Sequence, residues 1–210
     1  MNGGATPDYW TRAKRALARR DALLAQIIRA HPRIALRCRG EPFQTLARSI
    51  VGQQISVKAA TSVWNRLAAA APGVTPQTVL GLRRRALRGV GLSARKAEYL
   101  QDLARHFVNE TIQVGRWPDL DDEAVIADLV EVRGIGRWTA EMFLVFNLLR
   151  PDVLPVGDLG LQRAVARHYL GHDGCAKAAE IQAIAENWRP WRSVATWYLW
   201  RSLEPVPVEY

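Results

Sequence analysis

The chain has 210 residues, 49% of them apolar, and a formal charge of +9 at neutral pH. That length and apolar share allow one large domain or two small lobes with a proper core, and the basic excess predicts attraction to a polyanion. The only two cysteines, Cys38 and Cys175, stand far apart, which excludes a disulfide framework and a four-cysteine iron–sulfur cluster; no apolar run reaches the roughly 18 residues of a membrane span and no secretory leader is visible, so a cytoplasmic, nucleoid-associated protein is expected.

Nearly every segment has helical period and none alternates as a strand does, so the expected fold class is all-α. Met1 to Ala5 reads as a loose tail. Thr6-Pro7 has the form of an N-cap followed by proline at the first helical position, opening a helix that runs to about Ala30, ahead of His31-Pro32. A helix from about Pro42 would bury Phe43, Leu46, Ala47 and Ile50. Ser56 caps a helix reaching Ala71, where Pro72-Gly73 stops it. Thr75-Pro76 starts a short helix, and another follows at about Arg84 to Arg88. A glycine turn at Gly89-Val90-Gly91 and a cap at Ser93 introduce the helix that includes Leu103. Asp121 caps a helix to about Val132, and further helices are expected at about 137–149, 158–170, 176–188 and 191–203. There is no internal repeat and no low-complexity tract.

The run from Leu129 to Val165 is the most informative. Gly134-Ile135-Gly136 lets the main chain come close to a partner, because neither glycine carries a Cβ. Arg137 and Trp138 then open an apolar helix. The segment from Arg150 to Pro155 stops that helix, and Val156-Gly157 lead into Asp158, where the next helix should begin. Successive N–H groups at a glycine turn that opens a helix form a positive concavity suited to a phosphate. Arg133, Gly134, Ile135, Gly136 and Arg137 are therefore candidates for gripping a DNA backbone without reading its sequence.

These residues resemble the helix-hairpin-helix, Gly/Pro-rich, aspartate signature of base-excision DNA glycosylases. Within that superfamily the chain is most similar to the 3-methyladenine DNA glycosylase II (AlkA-like) branch. The matching blocks are GQQIS at Gly52 to Ser56, GLS…KA at Gly91 to Ala97 and GIGRWTA at Gly134 to Ala140. The proline- and glycine-containing approach to Asp158 matches too, as does RPWRS at Arg189 to Ser193, followed by Trp200. They occur in the family's order from about Phe43 to Trp200. The resemblance implies one domain of two helical lobes, with a DNA-binding cleft between them. One lobe would be about 42–120. The helix-hairpin-helix and the aspartate would occupy about 121–170, and the terminal helices would form the second lobe. The β-rich N-terminal domain of larger bacterial members would be missing, leaving a compact form.

By the same resemblance Asp158 is the catalytic carboxylate. Cleaving the bond from deoxyribose to a purine builds positive charge on the sugar, and an ionised carboxylate near C1′ stabilises that transition state and helps to orient water. A helix N-terminus favours negative charge, and Asp158 can serve as the cap of its helix as well. Relatives that also cut the DNA backbone use a lysine at the start of the second hairpin helix. Here that region reads Arg137-Trp138-Thr139, and no lysine lies between Lys96 and Lys177. A monofunctional enzyme without lyase activity is expected.

Trp138 and Trp200 correspond to aromatic walls of the base pocket, and Met142 stands where relatives place a further aromatic. An indole face suits electron-poor, often cationic alkylated purines. Trp188, Trp191 and Trp197, at helical spacing, are expected in the core. Reaching a base in duplex DNA requires flipping it out, and the residue that fills the gap falls within Gln53-Gln54-Ile55, Gln54 being favoured over Gln53. Arg137, Arg163 and Lys96 are candidate phosphate contacts. The resemblance further implies a structural Na⁺ or K⁺ on the main-chain carbonyls of Val130, Val132 and Gly134. It implies neither a redox cofactor nor a catalytic metal. The expected partner is double-stranded DNA containing damaged bases, and the expected state is a monomer. The function implied is hydrolysis of alkylated purines such as 3-methyladenine and 7-methylguanine from duplex DNA. The alternatives are the same fold acting on another damaged or mismatched base, and a helix-hairpin-helix module that binds DNA without chemistry.

Overall fold

A computed structural model describes residues 6–203; the tail expected at Met1 to Ala5 lies outside the described residues. Among the described residues there are twelve α-helices and no strand, in keeping with the expected all-α class. No helix of the described residues is long and apolar enough to cross a membrane. The chain divides into two compact units. Unit 1 joins the residues up to Arg39 to those from Leu144 onward, and unit 2 is Gly40–Phe143.

Unit 1 opens with α1 (Trp10–Arg20) and α2 (Ala22–Ala30). A single helix was expected here. The break at Asp21 has a physical cause: its backbone turns extended (φ −135°, ψ 109°), and its Oδ1 accepts the Leu24 N–H at 2.9 Å as the cap of α2. Its Oδ2 receives the Tyr169 hydroxyl at 2.7 Å and the Trp188 indole N–H at 3.2 Å. An aspartate is a poor residue for a helix interior and a good cap, and two distant donors make this one a buried polar hub. Burial and Asp21 together push the Tyr169 hydroxyl pKa up.

The rest of unit 1 comprises α10 (Leu159–Val165), α11 (Ala178–Ala185) and α12 (Arg192–Leu203). The helix expected at 158–170 is thus divided, α10 giving way to a π-helical turn at Ala166–Leu170 that ends at Gly171. Similarly, the helix expected at 176–188 ends in a 3₁₀ turn at Glu186–Trp188. α12 buries every side chain from Ser193 to Leu199 and packs against α1, α2 and α10. A helix covered on all sides is the centre of its unit. Trp188 and Trp197 are buried as expected, whereas Trp191 is half-buried and stacks on Tyr9 with ring centroids 5.6 Å apart.

Unit 2 contains α3 (Pro42–Gly52), α4 (Val57–Ala70), α5 (Pro76–Leu80), α6 (Arg84–Gly89), α7 (Ala94–Val108) and α8 (Asp122–Val130). α3 buries Phe43, Leu46, Ala47 and Ile50, as its spacing predicts, and Val51 in addition. The caps at Ser56, Ser93 and Asp121 each accept the expected backbone N–H. α7 is the spine of the unit and packs on α3, α5 and α6. A 3₁₀ turn at Val114–Asp119, absent from the expected elements, places Trp117 fully inside, edge-on to Phe143 at 5.2 Å. α9 (Arg137–Phe146) follows the hairpin, and the boundary between the units falls within it, after Phe143.

Candidate active site

The hairpin between α8 and α9 belongs to unit 2, and α7 supports it from behind. Gly134 has φ +85°, and a Cβ there would overlap the Tyr99 ring on α7, so this position requires glycine on two counts. The Ile135 N–H closes the turn onto the Val132 carbonyl at 3.0 Å, and Ile135 itself is buried. The Arg133 N–H donates to Asp102 Oδ2 at 3.0 Å. Burial pushes the Asp102 carboxyl up, but the Arg133 N–H, Arg105 and His106 outweigh it, so the net shift is downward.

The loop carrying the candidate wedge is tied to this hairpin. Gln53 Nε2 donates to the Gly134 carbonyl at 2.8 Å, so the Gln53 side chain points into unit 2. Lys96 Nζ, on α7, donates to the Val51 carbonyl at 2.8 Å and to the Gln53 carbonyl. Lys96 thus closes the end of α3, and burial lowers its pKa. Gln54 lies exposed in the left-handed region at φ +57°, with Ile55 and Val57 exposed beside it.

On α9, Arg137 is engaged by two carboxylates: its Nη1 donates to Glu123 Oε2 at 2.9 Å and its Nε to Glu141 Oε1 at 3.0 Å. The hydrogen bond it donates to Glu123 is the main reason its pKa is raised. Trp138 is 40% exposed, while Met142 is buried. Val130, exposed, ends α8.

Asp158 belongs to unit 1, where it caps α10. Its Oδ1 accepts the Leu161 N–H and the Trp200 indole N–H, both at 2.7 Å. Hydrogen bonds to a charged group contribute about 1.5–3 kcal/mol each, so the two donors fix the carboxylate in one orientation. Trp200 stacks on Phe146 at 5.8 Å, and the Arg39 guanidinium lies 3.9 Å from the Phe146 ring centroid. A Cβ on Gly160 would lie 2.9 Å from Trp200 Cδ1 and 3.1 Å from Asp158 Oδ1. Only glycine leaves room for the indole to reach the carboxylate.

The RPWRS block explains how the approach to Asp158 is held. Arg192 grips Asp152 through Nε to Oδ1 and Nη2 to Oδ2, both at 2.9 Å, and Arg189 adds a contact at 3.1 Å. Ser193 Oγ accepts the Val153 N–H at 2.9 Å, and the Ser193 N–H donates to the Pro151 carbonyl at 3.0 Å. Sequence reasoning named this block without giving it a role, and it missed the Gln53 and Trp200 hydrogen bonds. The RPWRS pattern itself was the available signal for the clamp. The structure therefore brings Asp158 together with Trp200 in unit 1, and Gln53 and Lys96 together with Gly134 in unit 2. Arg163, the other phosphate candidate, lies on α10.

Similarity to known proteins follows the same residues. A family model described as HhH-GPD superfamily base excision DNA repair protein matches residues 47–190. A Bacillus subtilis relative, YfjP, is 35% identical over 77% of this chain, and the chain spans 59% of that relative's length. DNA-3-methyladenine glycosylase 1 of Schizosaccharomyces pombe is 31% identical, with 77% of this chain and 72% of the relative covered. A crystal structure of a DNA-3-methyladenine glycosidase from Bacillus halodurans superposes with a TM-score of 0.82 at 35% identity, over 90% of this chain and 87% of that one. The matched span takes in the Gly134 hairpin, Asp158 and the start of the RPWRS clamp, and the chain belongs to the HhH-GPD superfamily of base excision DNA repair proteins.

Proposed function

We propose that this chain is a monofunctional DNA glycosylase that hydrolyses the N-glycosidic bond of alkylated purines in duplex DNA. The observation that carries the reading is the Asp158 carboxylate, oriented at the head of α10 by the Leu161 and Trp200 N–H groups. As the C1′–N bond breaks, its electron pair leaves with the base and positive charge gathers on the sugar. A fixed carboxylate stabilises that charge without reorganising. Water then adds to C1′, giving an abasic site and a free base.

The other roles follow from where the residues stand. The exposed indole of Trp138 offers a face for a cationic purine, worth roughly 0.5–2 kcal/mol. Gln54, held outward by its left-handed backbone, is the wedge that fills the vacated stack. Gln53, committed to Gly134, supports the loop instead. With the Arg133 and Ile135 N–H groups committed to Asp102 and the Val132 carbonyl, it is the Gly134 and Gly136 N–H groups that grip phosphate on a monomer bound to duplex DNA. The carbonyls of Val132 and Gly134 each accept one hydrogen bond, and a carbonyl has two lone pairs. With Val130 they retain donor capacity for a monovalent cation, which would add positive charge beside the gripped phosphate. No lysine lies between Lys96 and Lys177, and the Lys96 amine is engaged by the Val51 and Gln53 carbonyls, so the start of α9 offers no amine for a Schiff base.

This reading is supported by relatives named as DNA-3-methyladenine glycosylases and by a Schizosaccharomyces pombe 3-methyladenine DNA glycosylase solved with abasic DNA, similar at a TM-score of 0.78 and 28% identity. Incubating methylated duplex DNA with the protein should release 3-methyladenine and 7-methylguanine and leave unbroken abasic strands. Binding without any released base would leave a DNA-gripping module, and the enzymatic reading would fall.

A further inference from the structure

We propose that the arginine-lined cavity beside the α6–α7 turn of unit 2 is a second site for backbone phosphates, taken from the same duplex that the Gly134 hairpin grips; this rests on the glycosylase reading above. The cavity has a volume of about 740 Å³, and Arg84, Arg85 and Arg88 line it. Residues 83–96 carry six basic side chains and no acidic one. Glu98 is the cavity's one acidic lining residue, and Arg84 pairs with it at 3.0 Å. Among the described residues the guanidinium groups of Arg85 and Arg88 have no hydrogen-bond or ion-pair partner. Two uncompensated, planar, multi-donor cations at an open cavity are suited to phosphate oxygens.

The turn itself repeats the construction of the hairpin. Arg-Gly-aliphatic-Gly occurs twice, at Arg88 to Gly91 and at Arg133 to Gly136, too short a likeness to register as a sequence repeat. The backbone register differs by two residues. The left-handed glycine is the second of the pair in one case (Gly91, φ +102°) and the first in the other (Gly134, φ +85°). Aligned on that glycine, each turn continues with a buried aliphatic, Leu92 or Ile135, and a helix begins two residues later at Ala94 or Arg137.

α7 connects the two turns. Its first residue, Ala94, lines the cavity, whereas Tyr99 and Asp102 further along it support Gly134 and Arg133. At 1.5 Å per helical residue these points are roughly 8–12 Å apart. A strand carries one phosphate per 3.4 Å of duplex axis, so a duplex running along α7 would present the two turns with phosphates about two to four positions apart. The cavity thereby extends the grip beyond the lesion. Its contacts add affinity and register but carry no information about the damaged base.

The test uses the full chain and the double variant Arg85→Gln/Arg88→Gln. Both side chains are exposed, on a helix whose one buried residue is Leu87. Binding to damaged and undamaged duplexes is measured across a salt series. The variant should bind both about 10-fold more weakly at moderate salt, with a log–log salt slope shallower by about 2. Excision at saturating DNA should be unchanged. A variant that binds as wild type does would overturn the second site and leave the glycosylase reading intact. Wild-type protein that binds no duplex would overturn both. Inorganic phosphate is tested at matched ionic strength. If it raises the melting temperature of wild type and not of the variant, while both bind duplex equally, the cavity takes free phosphate and the DNA proposal fails.

Discussion

Asp158 has two N–H donors on a single oxygen and is 8% exposed, while the hairpin of unit 2 leaves its neighbour Trp138 40% exposed. The supports differ in kind as well. Around Asp158 they converge on the carboxylate itself, with the Arg192 and Ser193 clamp fixing the stretch of chain that leads to it. Around Gly134 they come from behind: Asp102 takes the Arg133 N–H, Gln53 reaches the Gly134 carbonyl, and Tyr99 fills the space a Cβ would need. A group that stabilises charge at one point in space gains from being immobilised by its own partners, because a small misplacement is costly there. A surface that follows a polyanion gains from support that leaves its outward face open.

Perturbing the two regions should give different signatures. The largest effect is expected for Asp158→Asn, which keeps the shape and removes the charge. Base release should fall by a factor on the order of 10²–10³ or more while DNA affinity stays near wild type; loss of affinity along with release would make Asp158 a structural cap instead. Trp200→Phe comes next. It keeps an aromatic ring to stack on Phe146 and deletes the donor to Asp158. Release at saturating DNA should drop about 10-fold, the equivalent of one lost charge-assisted hydrogen bond, with little change in binding. A change confined to affinity would assign Trp200 to the pocket wall alone.

On the hairpin side, Asp102→Asn should lower stability by about 1 kcal/mol at neutral pH and weaken duplex binding. Because the folded pKa of Asp102 is depressed, its contribution is present above the unfolded aspartate value near 4 and disappears as pH falls through the lower folded value. Wild type and variant should therefore converge in stability under strongly acidic conditions, measured by denaturant titration across pH. The smallest effect is expected for Gln53→Ala. Affinity should fall about 3-fold, in line with one neutral hydrogen bond, and release at saturating DNA should not change. A larger loss of release than of binding would erase the contrast between the two regions.

Much of the fold was legible because its punctuation is local. Ser56, Ser93, Asp121 and Asp158 each bond an N–H three residues ahead, and such caps can be read from a short window. What escaped depends on distant partners. The break at Asp21 is set by Tyr169 and Trp188, which lie 148 and 167 residues away. The Gln53–Gly134 and Trp200–Asp158 bonds span 81 and 42 residues. Trp117 is buried by a 3₁₀ turn too short and too proline-bearing to show helical period. Asp158, Trp138, Trp200 and the hairpin could be named as candidates from the family's motifs. The distinction between Gln53 as a support and Gln54 as the outward residue needed the backbone angle at Gln54.

Gly160 has one last consequence. Sitting in the first turn of α10, it is where a search for thermal stability would begin, since alanine in place of a helical glycine commonly gains about 0.5–1 kcal/mol. Here the added methyl would press on the indole and the carboxylate together. That clash should cancel the helical gain and displace the carboxylate, so stabilising changes are better sought on faces of the molecule that do not border Asp158.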